Sequence, residues 1–467
     1  MKTTCNYLRQ SAFFISNRFI TLVMTLFLMN VSAFSQCWQS ITDNGGTAHA
    51  IRTDGTLWGW GENAGQLGIG FTPTIAFISA PTQVGTDTDW MAVEEGYDHV
   101  LALKTDGTLW AWGNNNYGAL GDGTNVWSWS PVQIGTDSNW QSISAGSDLS
   151  LALKTDGTIW AWGINNHGQL GDNNQFIDKH SPTQVGIETN WAKIEVGLGH
   201  AGAIKSDGTL WVWGLNTNGQ VGNSSLNDQV VPVQIETFTD WQTLNLGGVN
   251  SAGIRMDGTL WAWGANAQGQ SGSLSPVQVG TETNWSDVSS GNRFTLGLKT
   301  NGTLWSWGDN SSGQLGHGNL TSVYTPTQIG VDSDWQTIEA GLGNSFATKS
   351  DATLWGWGYN YYGNLGNGDS GNQYNSPIDV ICSALSVEES LLGEVKIYPN
   401  PTKDVIHFET TSNSHFNILV YDIFAKQIAQ FQDINIIDIS NLSSGMYVVK
   451  LSNPQTSQTI IRKIIKI

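Results

Sequence analysis

The sequence predicts an all-β chain: a seven-bladed β-propeller followed by a small β-sandwich. Three observations lead there. The run Leu-Trp-x-Trp-Gly, first met at Leu57-Trp58-Gly59-Trp60-Gly61, returns with its lead indole at Trp58, Trp110, Trp160, Trp211, Trp261, Trp305 and Trp355. Around each copy apolar residues alternate with a period of two and Asp-Gly dipeptides punctuate the pattern, as in short antiparallel strands. Beyond Cys382 tryptophan is absent and isoleucine plentiful, so a second domain begins there.

The steps between lead indoles are 52, 50, 51, 50, 44 and 50 residues, which defines seven units. Each reads roughly W-x-x-I-x-x-G, then L-A-L-K-T-D-G-T-L-W-A-W-G, then x-N-x-x-G-Q-L-G, a variable stretch and P-x-Q-V-G. All 23 tryptophans are placed by this pattern, three per unit plus Trp127 and Trp129 in one variable loop of unit two. Such units bury their apolar faces only against copies of themselves. Unit two is predicted to hold four strands, near 90–94, 100–105, 108–113 and 131–135. Seven four-stranded sheets close into a ring. An open solenoid is the alternative, but no unit carries the polar outer face of a cap.

Within the third strand Trp110 and Trp112 share one face, while Leu109 and Ala111 share the other. The residue between the two indoles is Gly59, Ala111, Ala161, Val212, Ala262, Ser306 or Gly356. Large rings on one sheet are therefore expected to meet small residues on the next. Before this strand stand Asp54-Gly55, Asp106-Gly107, Asp156-Gly157, Asp207-Gly208, Asp257-Gly258 and Asn301-Gly302, which predict two-residue turns at positive φ. Unit seven has Asp351-Ala352. There the alanine either takes a costly left-handed conformation or opens the turn, so this hairpin is expected to be the loosest.

Residues 1–36 are predicted to be a secretory signal, with Lys2, Arg9 and Arg18 ahead of the apolar run 19–29 and Ala33-Phe34-Ser35 as a cleavage site. Cys5 leaves with it, so the mature chain has no membrane span and keeps only Cys37 and Cys382. These flank the array, and a closed ring brings its ends together. A Cys37–Cys382 disulfide is the expectation and two free thiols the alternative. The domains are thus signal 1–36, propeller 37–382, linker 383–393 and C-terminal domain 394–467.

Strand parity places the Asp-Gly turns and the linkers between units on one rim. The first connections, such as Gly96-Tyr97-Asp98-His99, and the long variable loops share the other. That second rim carries Phe71 and Phe77 in unit one, Trp127 and Trp129 in unit two, Phe176 in unit three, and Tyr359, Tyr361, Tyr362 and Tyr374 in unit seven. These are candidate partner-binding residues, because exposed loop aromatics anchor protein or glycan recognition. The bland alternative is that they fold over their own blades.

Charge excludes some partners. Residues 37–383 hold 10 Lys and Arg against 31 Asp and Glu, and so acidic a body repels nucleic acid and anionic membranes. No H-E-x-x-H, G-x-S-x-G or phosphate-cradling loop is present, and no Cys or His cluster has zinc spacing, so no catalytic residue, cofactor or metal is predicted. His99 and His200 share one slot of their units and read as structural. The pieces 121–125 and 367–369 lack the spaced oxygen ligands of a dedicated calcium loop.

The pattern G-x-x-H-x-x-A-L-K-x-D-G-T-L-W-x-W-G-x-N-x-x-G-Q-L-G, clearest at Gly96 to Gly121, resembles the regulator of chromosome condensation repeat family. That resemblance covers about 37–382 and implies a seven-bladed propeller. The family's nuclear founder is a nucleotide exchange factor on chromatin, a role an exported acidic chain does not inherit. Secreted bacterial propellers with similar repeats, one an inhibitor of β-lactamases, are nearer in setting. In the tail, Tyr398-Pro399-Asn400-Pro401-Thr402, Ser444-Gly445-Met446-Tyr447 and the basic end Arg462-Lys463 with Lys466 resemble the type A C-terminal sorting domain of the type IX secretion system of Bacteroidota. Ala425 stands where that family usually has glycine. This implies delivery by outer-membrane secretion machinery to the medium or cell surface of a Gram-negative bacterium.

The expected function is non-enzymatic recognition, by a monomer, of a protein or glycan through the variable-loop rim. Two alternatives are carried: a polysaccharide hydrolase or lyase on the same scaffold, marked by a carboxylate pair in one concave pocket, and a secreted inhibitor of an extracellular enzyme. The carboxylates are expected to recur evenly, with no unit carrying a distinctive pair.

Overall fold

The computed structural model describes residues 38–70, 76–265 and 272–380, and in the tail 396–398, 402–409, 417–421, 427–432, 436–443, 445–452 and 459–466. The predicted signal, Cys37, Cys382, the linker and Phe71 lie outside them. The chain divides into two compact units, one ending at Ile381 and one beginning at Cys382.

The first unit is a seven-bladed propeller. Blade 1 comprises β1 (Trp38–Asp43), β2 (Thr47–Arg52), β3 (Leu57–Glu62) and β4 (Phe77–Gln83), and blade 2 comprises β5 (Trp90–Glu95), β6 (His99–Lys104), β7 (Leu109–Gly113) and β8 (Ser128–Gln133). Blades 3 to 7 follow over 140–184, 191–235, 241–278, 285–328 and 335–379. Every blade is an antiparallel sheet in simple sequence order. β8 begins three residues earlier than expected, so Trp129 stands in a strand and not in the loop with Trp127.

The Asp-Gly turns differ from the two-residue form. The Gly55 N–H donates to Arg52 O and the Arg52 N–H to Thr56 O, both at 2.9 Å. Only the glycine has positive φ, between 74° and 79° in the first six units. The aspartate is used otherwise. Its Oδ1 accepts from the Thr Oγ1 two residues on, and that Oγ1 accepts from the lead indole, as in Asp54, Thr56 and Trp58 at 2.6 and 2.8 Å. Asp-Gly-Thr-x-Trp is thus one hydrogen-bonded chain. A Cβ on the glycine would also lie 2.1–2.3 Å from a linker carbonyl, such as Thr88 O or Ser138 O.

The Ala352 turn takes the first of the two expected routes. It sits at φ 61° and keeps every bond of the motif: Ala352 N–H to Lys349 O at 2.9 Å, Thr353 Oγ1 to Asp351 at 2.7 Å and Trp355 to Thr353 at 3.0 Å. It is strained but not loosened.

Between blades, the second indole of each third strand reaches onto the preceding sheet. Trp112 Nε1 donates to Gln66 O, Trp162 to Ala119 O, Trp213 to Gln169 O, Trp263 to Gln220 O and Trp357 to Gln314 O, all at 2.7–2.9 Å. Among the described residues the small residue under the ring edge is, in six units, the last glycine of the G-x-x-G run that reads G-Q-L-G in the repeat pattern. A Cβ on Gly68 would stand 2.7 Å from Trp112 Nε1. The buried asparagine of N-x-x-G-Q-L-G ties that loop together: Asn115 Oδ1 accepts from Leu120 N–H and its Nδ2 donates to Asp122 and to Thr124 O.

The same step closes the ring. Trp60 Nε1 donates to Asn364 O of blade 7 at 2.9 Å, and Trp60 packs with Phe346, Leu354 and Leu365. The Trp38 N–H reaches Ala352 O at 3.4 Å, repeating the bonds of 3.1–3.2 Å from each later opening Trp to a turn glycine. Among the described residues no strand is exchanged between first and last blades, so side-chain packing and these single hydrogen bonds make the closure. On the outer side a cation lies between the aromatic rings of every blade, 3.6–5.7 Å from their centroids: Arg52, Lys104, Lys154, Lys205, Arg255, Lys299 and Lys349.

In the second unit, strands Lys396–Tyr398, Val405–Glu409 and Ile436–Asp438 form one sheet, and Asn417–Tyr421, Gln427–Gln432, Gly445–Ser452 and Thr459–Lys466 another. Ile406, Phe408 and Ile437 from the first share a core with Ile418, Val420 and Val449 from the second, as in a small sandwich.

Candidate functional site

Two places on the propeller carry chemistry: the central channel and the variable-loop rim. The channel is walled by the innermost strand of each blade. Four residues after each opening Trp stand Thr42, Glu94, Ser144, Glu195, Asn245, Ser289 and Glu339. One residue further stand Asp43, Glu95, Ala145, Val196, Leu246, Ser290 and Ala340. These line a cavity of about 100 Å³ together with first-connection residues such as Tyr97 and Leu342. Glu195, Asn245, Ser289 and Glu339 also line a second cavity of about 430 Å³, with Lys193 and Asp287.

The carboxylates are therefore not evenly dealt among the units. The even count along the chain hid this, because it does not separate the slots four and five residues after the opening Trp, which line the cavity in every blade, from the rest. Three of the four neutral members of the inner layer are spent on the next blade: Thr42 Oγ1 accepts from Glu95 N–H at 3.2 Å, Asn245 Oδ1 from Ser290 N–H at 2.6 Å, and Ser289 Oγ from Ala340 N–H at 2.9 Å. The acidic members face one another. Burial, then the charge of Glu95, pushes Glu94 up to about 8. Burial first, then the neighbouring carboxylates, holds Glu195 and Glu339 well above the usual range. Asp43 is raised the same way by burial and Glu95, against hydrogen bonds from Asn344 and the Gly45 backbone. Burial lifts Asp287 to about 6, offset by the Val288 backbone and Lys193.

Glu195 Oε1 accepts from Asn245 Nδ2 at 3.1 Å, and Glu95 is partnered more fully. His49, fully buried in β2, bonds Glu95 Oε1 through Nδ1, and Glu95 Oε2 accepts from Asn44 N–H at 3.1 Å. In the other units the His49 slot holds Leu, Gly, Ala or Phe. Sequence reasoning missed this pair. The signal was present, as a lone polar residue in a slot otherwise apolar.

His99 and His200 are buried, donate through Nε2 to Ser150 and Ser251 at 2.9 and 3.0 Å, and are pushed by burial down to about 4 and about 3. In the loop 121–125, Asp122 Oδ1 is occupied by Thr124 N–H at 2.8 Å and by Asn115.

On the rim the candidate residues fall into two groups. Phe77, Trp127, Phe176 and Tyr361 are 42, 37, 75 and 58 % exposed. Trp129, Tyr359, Tyr362 and Tyr374 are half-buried. Trp129 lies over Gly65 of the preceding blade, its O accepting from Gly70 N–H at 2.8 Å. Tyr359 stacks on Tyr361 at 6.3 Å, Tyr361 meets Tyr362 edge-on at 5.2 Å, and the Tyr374 hydroxyl donates to Asp369 at 2.8 Å. Trp127 Nε1 donates to Asn116 at 2.9 Å. Phe176 stands at φ 63°.

A closed ring of seven sequential four-stranded blades, stitched by indole-to-carbonyl bonds, defines the class: a tandem-repeat propeller. Residues 45–329 match the RCC1-like domain model, and the chain belongs to that family. Residues 396–467 match the secretion system C-terminal sorting domain, which marks the protein for export. Among curated proteins, the RCC2 homolog of Danio rerio is 38% identical over 77 residues, 16% of this chain and 15% of that protein. The ultraviolet-B receptor UVR8 of Arabidopsis thaliana is 36% identical over 88 residues, 18% of this chain and 19% of that one. The chain thus spans less than a fifth of the length of these relatives. Among solved structures, human WBSCR16 superposes with TM-score 0.63 at 20% identity, covering 70% of this chain and 94% of that one. Yeast RCC1 (Prp20) bound to Kap60 gives 0.63 at 19%, covering 76% and 89%. At such identity the likeness is one of fold.

Proposed function

We propose that this is an exported, non-enzymatic recognition propeller that binds a protein or glycan through the variable-loop rim of blades 7, 1, 2 and 3. Phe176 carries the reading. Its left-handed backbone costs roughly 1 kcal/mol or more, and with three quarters of the side chain in solvent the fold recovers little of that through burial. Strain kept on an exposed aromatic is what an anchor awaiting a partner requires. Phe77, Trp127 and Tyr361 extend the surface across neighbouring blades. A secreted inhibitor is one form of this function.

The test is affinity capture from the native medium with the full-length chain and with a Phe77→Ser/Trp127→Ser/Phe176→Gly/Tyr361→Ser variant. The reading expects a partner retained by the first and lost by the second. Equal retention by both removes the rim from recognition. The carboxylates gathered in the channel, where Glu195 and Glu339 also line the cavity of about 430 Å³, keep the polysaccharide hydrolase in view, although the cavity of about 100 Å³ that holds Glu94 is small beside the roughly 300–1,000 Å³ of ordinary ligand pockets. Turnover of any member of a polysaccharide panel would favour it.

The Cys37–Cys382 disulfide belongs to the same proposal. Its described neighbours support it, because the Trp38 N–H reaches Ala352 O and the Val380 N–H reaches Leu354 O on one hairpin of blade 7. In the chain-entropy view so long a loop stabilises by about 5 kcal/mol. Mass spectrometry of the non-reduced mature protein should find no alkylatable thiol.

A further inference from the structure

We propose that the acidic shaft on the ring axis binds a slender alkylammonium chain, a polyamine or a lysine side chain of a partner, with its charges on Glu94, Glu195 and Glu339. The site is separate from the rim and does not rest on it. Three features carry the inference. Among the described residues no Lys, Arg or His lines the smaller cavity; Glu95 is matched by His49, and Lys193 enters only the larger cavity, beside Asp287. Thr42, Asn245 and Ser289 are already engaged with the next blade, Asn245 also donating from Nδ2 to Glu195 Oε1 at 3.1 Å, which leaves Glu94, Glu339, the second oxygen of Glu195 and Ser144 as the acceptors of that layer.

Second, two side chains more than nine-tenths buried line the cavity with a polar atom lacking a hydrogen-bond partner, Asp43 Oδ2 and Ser290 Oγ. Asp43 Oδ1 is bonded to Asn344, while Oδ2 lies over Gly341, whose backbone is cavity wall. Buried polar atoms left this way are costly unless something else meets them.

Third, spacing selects the ligand. Among the described residues no three acidic, His or Cys side chains come close enough to hold one metal ion, so a compact divalent cation finds no cage. A cavity of about 100 Å³ is well below the roughly 300–1,000 Å³ of ordinary ligand pockets, which favours a slender ligand over a bulky one. Charges strung along such a chain reach carboxylates that one ion cannot, and the shaft continues past Glu195 and Glu339 into the larger cavity.

Binding is linked to protons. Glu94 faces Glu95; Glu195 faces Glu94 and Asp287; Glu339 faces Glu94, Asp43, Glu195 and Asp287; Lys193 alone opposes them, beside Asp287. Protons held there leave when an ammonium enters, so affinity rises with pH.

The full-length chain is titrated calorimetrically with spermidine and with acetylated tetralysine in about 0.15 M salt, where exposed charges are screened beyond about 8 Å. The expected result is one saturable site at pH 8 with buffer-dependent proton release. Affinity should fall at least tenfold at pH 5.5 and in Glu94→Gln/Glu195→Gln/Glu339→Gln, and at least threefold in Glu195→Gln, with near-ultraviolet circular dichroism confirming that the variants fold. Tighter binding of spermidine identifies the free polyamine, and of tetralysine the partner side chain. Absence of a saturable site, equal affinity in both variants, or calcium binding with neither amine doing so overturns the proposal.

Discussion

Ala352 occupies a turn position that glycine fills in the six other units, and it holds φ 61° to do so. Replacing it by glycine removes the clash of Cβ with the following carbonyl, against a modest entropic cost. We expect Ala352→Gly to raise stability by about 1 kcal/mol, read as a higher thermal midpoint. Glu94 shows the opposite kind of tension. Its folded pKa, about 8, lies above the ordinary 4.5, so it favours the fold below pH 4.5 and that contribution is lost as pH rises through 8. Glu94→Gln should therefore leave stability unchanged near pH 4.5 and raise it increasingly toward pH 9. His99 and His200 slope the other way. Depressed from 6.5 to about 4 and about 3, they favour the fold above pH 6.5 and withdraw that support as pH falls. Comparing the glutamine variant with its parent at each pH isolates the glutamate.

At the level of the blade, the recurring device is a cation between aromatic rings. Lys154 Nζ stands 4.6 Å from the Trp140 centroid and 4.1 Å from that of Trp160, and bonds Asp137 at 2.6 Å. Lys154→Met keeps the stem and loses the charge, which should cost about 1–2 kcal/mol by thermal or urea unfolding. A neutral result would mean the lysine acts through its methylenes alone. The motif Asp-Gly-Thr-x-Trp was legible as turn and strand, but the turn type was not. Both two-residue and bulged turns accept Asp-Gly, and only the Thr56-to-Asp54 bond, repeated in every unit, selects the latter. Trp129 was likewise misplaced, because a fourth strand with a serine on either side of it has little apolar alternation to announce it.

For the whole molecule, closure rests on repetition of one contact. Trp60 meets blade 7 as Trp162 meets blade 2, and each ring is fully buried. Truncating either to alanine should cost a similar amount, about 3–5 kcal/mol. A markedly smaller loss for Trp60→Ala would show that something other than this packing holds the ring shut. The tail attaches a second fold with its own core, so its removal is expected to leave the unfolding of the propeller unchanged.

Local pattern alone determined the seven units, their four strands and the indole face, because strand parity and a fixed period write burial directly into residue order. Which units meet on the axis is another matter. Glu94, Glu195 and Glu339 are far apart along the chain and in different blades. They share a layer only because a closed circle returns the same slot of every unit to one axis, and Asp43 meets Asn344 across the closing seam for the same reason. The tertiary structure decided the acidic shaft, since its electrostatics come from distances that the ring creates.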